Sequence, residues 1–225
     1  MTRKGTTRPG RGDRKGRSAA HRSLARLFLF CEGATEESYF DDMKEFFRVH
    51  NLKVCPGDIG KEPSQIYAAA VNRLKAIRND TEGRRYTSED AVACVFDRDE
   101  HAKFQDVVNQ GLRDGIRCFW STPCFEFWIL LHSDRPLMRS MTSHEAEREV
   151  EKRLGVSKPY LNLYGRISAQ QDAALRHAEN VRSSHSQDAG CAGESETTIR
   201  RIAAIQEWNP YTSIDCLVRD VQARQ

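Results

Sequence analysis

The chain has 225 residues, 39% of them hydrophobic and 30% charged, which is enough apolar material for a packed core and too much for global disorder. No uninterrupted apolar run approaches the ~20 residues of a membrane span, and no signal-peptide-type apolar stretch follows the basic start, so a soluble cytoplasmic protein is expected. The net charge of +3 conceals an asymmetry: residues 1–26 hold nine Lys/Arg and one acid, Asp13, so the rest of the chain is net acidic.

In chain order, the first segment is a basic arm over 1–26. Arg3, Lys4, Arg8, Arg11, Arg14, Lys15, Arg17 and Arg22 lie among Gly, Ser and Thr with no hydrophobic period. Such an arm attracts phosphates without reading sequence, and it equally fits a solubilising tail. From residue 27 short apolar runs alternate with helical periods. Leu27–Cys31 reads as a strand, and Tyr39, Phe40, Met43, Phe46 and Phe47 are spaced for one face of a helix with Thr35 as N-cap. Leu52–Cys55 is a short strand, and a helix opens at Ser64. Ala91–Phe96 is apolar on both faces, as a covered central strand requires. A helix carrying Phe104, Val107, Val108 and Leu112 follows, then a strand at Ile116–Trp120 and a buried helix over Cys124–His132. This alternation predicts an α/β unit over 27–135 with a mainly parallel sheet.

The remainder, 136–225, reads as a helical C-terminal part. Thr142 and Glu145 form a capping-box pattern for a helix to Leu154. A second helix is expected over Ala169–Val181, a mobile loop near 183–198, and a last helix over Thr212–Val221. The seven cysteines form no CxxC pair and are expected to be reduced.

Three carboxylate positions fall at the C-terminal ends of predicted strands: Glu32, the pair Asp97 and Asp99, and Glu126. Ligands of open α/β sheets bind beyond these ends, so one shared cleft is expected. Crowded carboxylates are costly unless a cation or proton joins them, and Mg²⁺ suits such a set. A lone Asp-x-Asp also fits a solvated turn; its placement after an apolar strand favours the metal. Glu126, between large apolar residues, either faces the cleft or serves the helix as a cap or ion-pair partner. Histidines such as His132 are expected to be structural. No zinc spacing, P-loop, dinucleotide or hydrolase-elbow motif is present, so any ATP-driven step belongs to another chain.

The segment Cys31-Glu32-Gly33-Ala34-Thr35-Glu36-Glu37-Ser38-Tyr39-Phe40 resembles the CEGxTExxYF signature of the RloB-like family. Phe96-Asp97-Arg98-Asp99-Glu100-His101 is similar to its FDRDxH motif, and Ser121–His132 resembles its S-x-P-x-F-E-x-W-x-L-L-H block. Asn209-Pro210-Tyr211-Thr212 resembles its closing segment. The resemblance runs from about residue 27 to 221. It implies a Toprim-like fold and a nuclease, a metal-dependent phosphodiester hydrolase or transesterase, of bacterial phage defence. Glu32, Asp97 and Asp99 are then the Mg²⁺ or Mn²⁺ ligands, with Glu36, Glu126 and His101 as further catalytic candidates. It also implies tRNA, other RNA or DNA as substrate, with the arm and Arg98 contacting it, and an ABC- or AAA-type ATPase partner. A homodimer is left open. The other readings are a non-catalytic regulatory partner of a defence ATPase and, less favoured, a primase-like nucleotidyl transferase.

Overall fold

Five consecutive apolar residues with no turn former, Leu27–Cys31, make strand β1, which is buried along its whole length. The computed structural model describes residues 25–55, 62–83, 85–98, 103–185 and 208–225. Most of the basic arm, Asp99, His101 and the segment from 186 to 207 lie outside the described residues.

Helix α1 (Ala34–Phe47) follows β1 and leads to strand β2 (Leu52–Cys55). Helix α2 (Pro63–Asn79) then starts with proline in its first turn and a reciprocal Glu62–Gln65 capping box. Strand β3 (Ala91–Asp97), helix α3 (Phe104–Asp114) and strand β4 (Arg117–Thr122) complete the α/β unit. Helix α4 (Phe125–Leu130), helix α5 (Ser143–Leu154), helix α6 (Leu163–Ile167), helix α7 (Gln171–His185), strand β5 (Tyr211–Thr212) and helix α8 (Ile214–Gln222) follow.

The strands lie in the order β2-β1-β3-β4-β5. The first four are parallel, and β5 runs antiparallel to β4 through Ser121–Thr212 and Thr122–Tyr211. The sheet is therefore mainly parallel and covered on both faces, as the apolar strands require. Leu27, Leu29, Ala93 and Val95 point to the face packed by α1 and the helices from α4 onward. Phe28, Phe30, Val92, Cys94 and Phe96 point to the face covered by α2 and α3. The chain thus runs outward from β1 over one face and returns to β3 over the other. That reversal leaves a crevice at the C-terminal ends of β1 and β3.

Residues on both sides of position 135 share one core. Tyr39, Phe40, Trp128, Val150, Tyr164, Leu175 and Val218 belong to the same buried cluster. At the N-terminal rim of the sheet, Arg26 ties the chain to the turn before β3. Its backbone N–H donates to Asp90 Oδ1 at 2.8 Å, and its guanidinium also engages the Asp90 carboxylate. Thr87 adds donors from its N–H (3.1 Å) and its hydroxyl (3.0 Å). Burial opposes ionisation of Asp90, but the bonds from Arg26 and Thr87 outweigh it and hold the carboxyl below its usual range. This stabilisation is present above the unfolded-state pKa of about 3.9 and is lost as pH falls through the lower folded-state value. Asp90→Asn should therefore cost about 2–4 kcal/mol in urea unfolding at pH 7. The gap to the wild type should narrow below pH ~3, and a gap independent of pH would mean that shape, not charge, matters here.

Several expectations need correction. Gly33, not Thr35, is the N-cap of α1, because the chain turns directly after Glu32; Thr35 lies inside the first turn. The helix expected to open at Ala169 is preceded by α6 and a 3₁₀ turn over Ser168–Gln170. The left-handed Asn162 (φ 48°) opens α6, and α7 extends past Val181 to His185, which removes the first residues of the expected loop. The rest of that loop lies outside the described residues. β5 was not foreseen, and α8 starts at Ile214 rather than Thr212. Cys31, Cys55, Cys94, Cys118 and Cys124 are free thiols. Among the described residues no helix is long and apolar enough to cross a membrane.

Candidate active site

Two backbone N–H groups build the site from adjacent strand ends. Glu32 follows β1 directly, and Asp97 closes β3. The Asp97 N–H donates to Glu32 Oε2 at 3.2 Å, so the first carboxylate folds over the end of the second strand. The Phe125 N–H donates to Asp97 Oδ1 at 2.8 Å, which ties β3 to the start of α4. The Arg98 N–H donates to Ser121 O at 2.9 Å and continues the β3–β4 ladder past Asp97.

A cleft of about 290 Å³ opens over these groups, lined by Glu32, Gly33, Glu36, Asp97, Glu126 and Lys158 among others. Glu36 and Glu126 reach it from the first turns of α1 and α4, where the helix N-termini favour negative charge. Both are almost fully buried. Gly33 brings its backbone against Glu36; a Cβ there would sit 2.8 Å from Glu36 Oε2. A larger residue at 33 would have to displace that carboxyl.

The electrostatics follow from the crowding. Burial, with Glu126 and Glu32 adding to it, pushes the Glu36 pKa up to about 8, so this carboxyl carries a proton near neutral pH. Glu126 is held by Lys158, whose Nζ lies 2.8 Å from Glu126 Oε1 and 2.8 Å from Glu147 Oε1. Burial works against the charge of Lys158, but the two carboxylates outweigh it and raise its pKa. The Cys124 thiol is pushed up by burial and by Glu126 and Asp97, and Cys31 by burial and by Glu36 and Glu37. Neither is a thiolate nucleophile at neutral pH. His132 is buried and its pKa is pushed down to about 4 by that burial. Its Nδ1 lies 3.1 Å from Ile129 O and 3.2 Å from Trp128 O, so it packs as a neutral structural ring.

Of the residues singled out from sequence, Glu32, Glu36, Asp97 and Glu126 line one cleft. A family model described as RloB-like protein matches residues 27–221. The chain belongs to the RloB-like family. No curated protein and no solved structure matches it. In this RloB-like chain Asp99, His101, Arg3, Lys4, Arg8, Arg11, Arg14, Lys15, Arg17 and Arg22 fall outside the described residues. The Arg98 guanidinium sits 5.1 Å from the Phe104 ring centroid, and the residue is not among those lining the cleft.

Lys158 was missed. It lies in a stretch with no motif, and a lone lysine there has no signature; only the fold carries it to Glu126. The alternative for Glu126, cleft or ion pair, resolves into both at once.

A divalent cation fits part of this donor set. Glu32 and Asp97 are oriented by backbone N–H groups, in the way that outer hydrogen bonds orient ligating carboxylates. Glu36, whose pKa is raised first by burial and then by Glu126 and Glu32, adds a third carboxyl to the same cleft. Among the described residues, however, no three His, Cys, Asp or Glu side chains stand close enough together to hold a metal ion. Among the described residues Glu32 and Asp97 make an incomplete set, and Asp99 lies outside them.

Proposed function

We propose that this RloB-like protein is a Mg²⁺- or Mn²⁺-dependent nuclease with a Toprim-like catalytic centre, cleaving phosphodiesters of RNA, including tRNA, or of DNA. The observation that carries the reading is the juxtaposition of Glu32 and Asp97 at the ends of neighbouring parallel strands, at the point where the chain changes faces. A hard cation held by Asp97 and Asp99, with Glu32 beside it, would neutralise a phosphate and lower the pKa of a bound water. The chain's own residues orient the rest. Phe125 N–H fixes Asp97, Asp97 N–H fixes Glu32, and Glu36 lines the cleft beside them. The basic arm would hold the nucleic-acid backbone without sequence preference. On the family resemblance, the protein works in cytoplasmic anti-phage defence beside an ATPase encoded nearby.

Incubation of the purified full chain with tRNA, plasmid and single strands, each with Mg²⁺, Mn²⁺ or EDTA, tests this. Metal-dependent cleavage of at least one substrate is expected. Cleavage of none, with an intact fold, would favour the non-catalytic partner. Glu126 adds a second measurement. Glu126→Gln removes a buried charge while Lys158 keeps Glu147. The variant should melt within about 1 kcal/mol of the wild type and lose cleavage by about a hundredfold or more. A destabilised, fully active variant would make Glu126 an anchor for Lys158 alone.

A further inference from the structure

Four carboxylates, Glu32, Glu36, Asp97 and Glu126, line the cleft, and the cation that joins them among the described residues is Lys158. A phosphodiester entering such a cleft meets mostly negative charge. Lys158 comes from the loop after α5, beyond the left-handed cap Gly155, and its side chain is 49% exposed. Two of its contacts are fixed: Glu126 Oε1, on a side chain 3% exposed, and Glu147 Oε1, on the partly exposed face of α5, each at 2.8 Å. An ammonium has three donors, so one remains beyond these two carboxylates, on a half-exposed group at the cleft. A compact charge of this kind suits a phosphate oxygen. The two carboxylates hold the long side chain in place before substrate arrives, so less conformational freedom is lost on binding.

We infer that Lys158 binds a phosphate of the nucleic-acid substrate inside the carboxylate-lined cleft, held for that contact by Glu126 and by the positioning residue Glu147. The inference rests on the reading of the cleft as a nucleic-acid site, and it assigns a phosphate contact to a lysine outside every motif recognised in the sequence. Glu147 touches Lys158 and acts through it.

The test uses the full chain and a labelled single-stranded oligonucleotide, as DNA and as RNA, bound in EDTA over a range of salt. Each phosphate contact neutralised by a lysine contributes about 0.7 to the slope of log K against log salt on single strands. Lys158→Met should weaken binding about tenfold and reduce the slope by about that amount, whereas Lys158→Arg should keep the slope. Glu147→Gln should weaken binding about threefold without changing the slope. Lys152→Met removes a 72% exposed lysine of α5 that pairs with Glu149, and controls for net charge; its slope should match the wild type. If Lys158→Met fails to fold with Glu126 left unpaired, the double variant Lys158→Met/Glu126→Gln removes that charge and should show the same lower slope. An unchanged slope in a folded Lys158→Met or double variant overturns the inference, as does an equal drop in Lys152→Met. Cleavage by the wild type in Mg²⁺ separates the two readings. Cleavage with an unchanged slope refutes Lys158 and leaves the nuclease. A lowered slope without cleavage of any substrate keeps the Lys158 contact and refutes the nuclease, and no binding by the wild type refutes both.

Discussion

Asp97→Asn is expected to abolish cleavage while leaving the protein folded. The substitution is chosen for what it keeps. Asn retains an Oδ1 acceptor for the Phe125 N–H, now 2.8 Å from Asp97 Oδ1, so the link from β3 to α4 survives. What disappears is one negative charge at the strand end. On the proposed reading Asp97 ligates the cation, and since even outer-shell partners of metal sites cost about 10–100-fold, its loss should cost at least about a hundredfold in activity. Stability should hold or rise, because a carboxylate that repels Glu32 and Glu126 is gone. Mg²⁺ or Mn²⁺ should stabilise the wild type, by about 2.7 kcal/mol at a hundredfold excess over the dissociation constant, and should shift the variant far less. Equal thermal shifts in both proteins would remove Asp97 from the metal site. Asp97→Ala is the poorer probe, since it also cuts the Phe125 bond and mixes a structural loss with the chemical one.

The elements that were legible in the sequence are those whose signal is local. β1 and β3 are apolar on both faces, and a run of five or more such residues leaves little else for the backbone to do. The capping box at Thr142 and Glu145 marks the start of α5, and the structure closes both of its bonds, 3.2 Å from Glu145 N–H to Thr142 Oγ1 and 2.9 Å from Thr142 N–H to Glu145 Oε2. The placing of Glu32 and Asp97 after apolar runs needed nothing more than those runs. Their meeting needed more. Whether β1 and β3 are neighbours depends on which way α1 and α2 cross the sheet, and no local pattern states that. The same holds for Glu126 and Lys158, which are brought together by the path of α5 between them. β5 is two residues long, too short for any period, and exists because Ser121 and Thr122 have an open edge to pair with. Gly33 replaces Thr35 as the cap since the turn must begin at once after Glu32, where a Cβ would press on the Glu36 carboxyl.

Arg182→Ala should be the most damaging single change away from the cleft. Asp215, in the first turn of α8, has a fully buried side chain, and that of Arg182 on α7 is 12% exposed. The guanidinium meets the carboxylate with both terminal nitrogens, Nη2 to Oδ2 at 2.7 Å and Nη1 to Oδ1, and Nη1 also donates to Thr212 O at 3.3 Å. One side chain therefore clamps α7, β5 and α8 together. Removing it leaves a buried carboxylate without its guanidinium partner, which costs about 3–5 kcal/mol. For a chain of this size that is a fall in Tm of roughly 10 °C. The charge pair itself need not be the source of stability, because two buried ions each carry a desolvation penalty. The double variant Arg182→Met/Asp215→Leu should therefore recover most of the loss. A cost below about 1 kcal/mol for Arg182→Ala would mean that water reaches Asp215. Activity distinguishes a clamp from a site residue. Thr212 pairs with Ser121, which in turn lies opposite Asp97 in the β3–β4 register, so a loosened β5 reaches the site only through two strands. Well below its melting temperature the Arg182→Ala protein should therefore cleave at close to the wild-type rate, and a loss of cleavage that persists in the cold would extend the site to the end of α7.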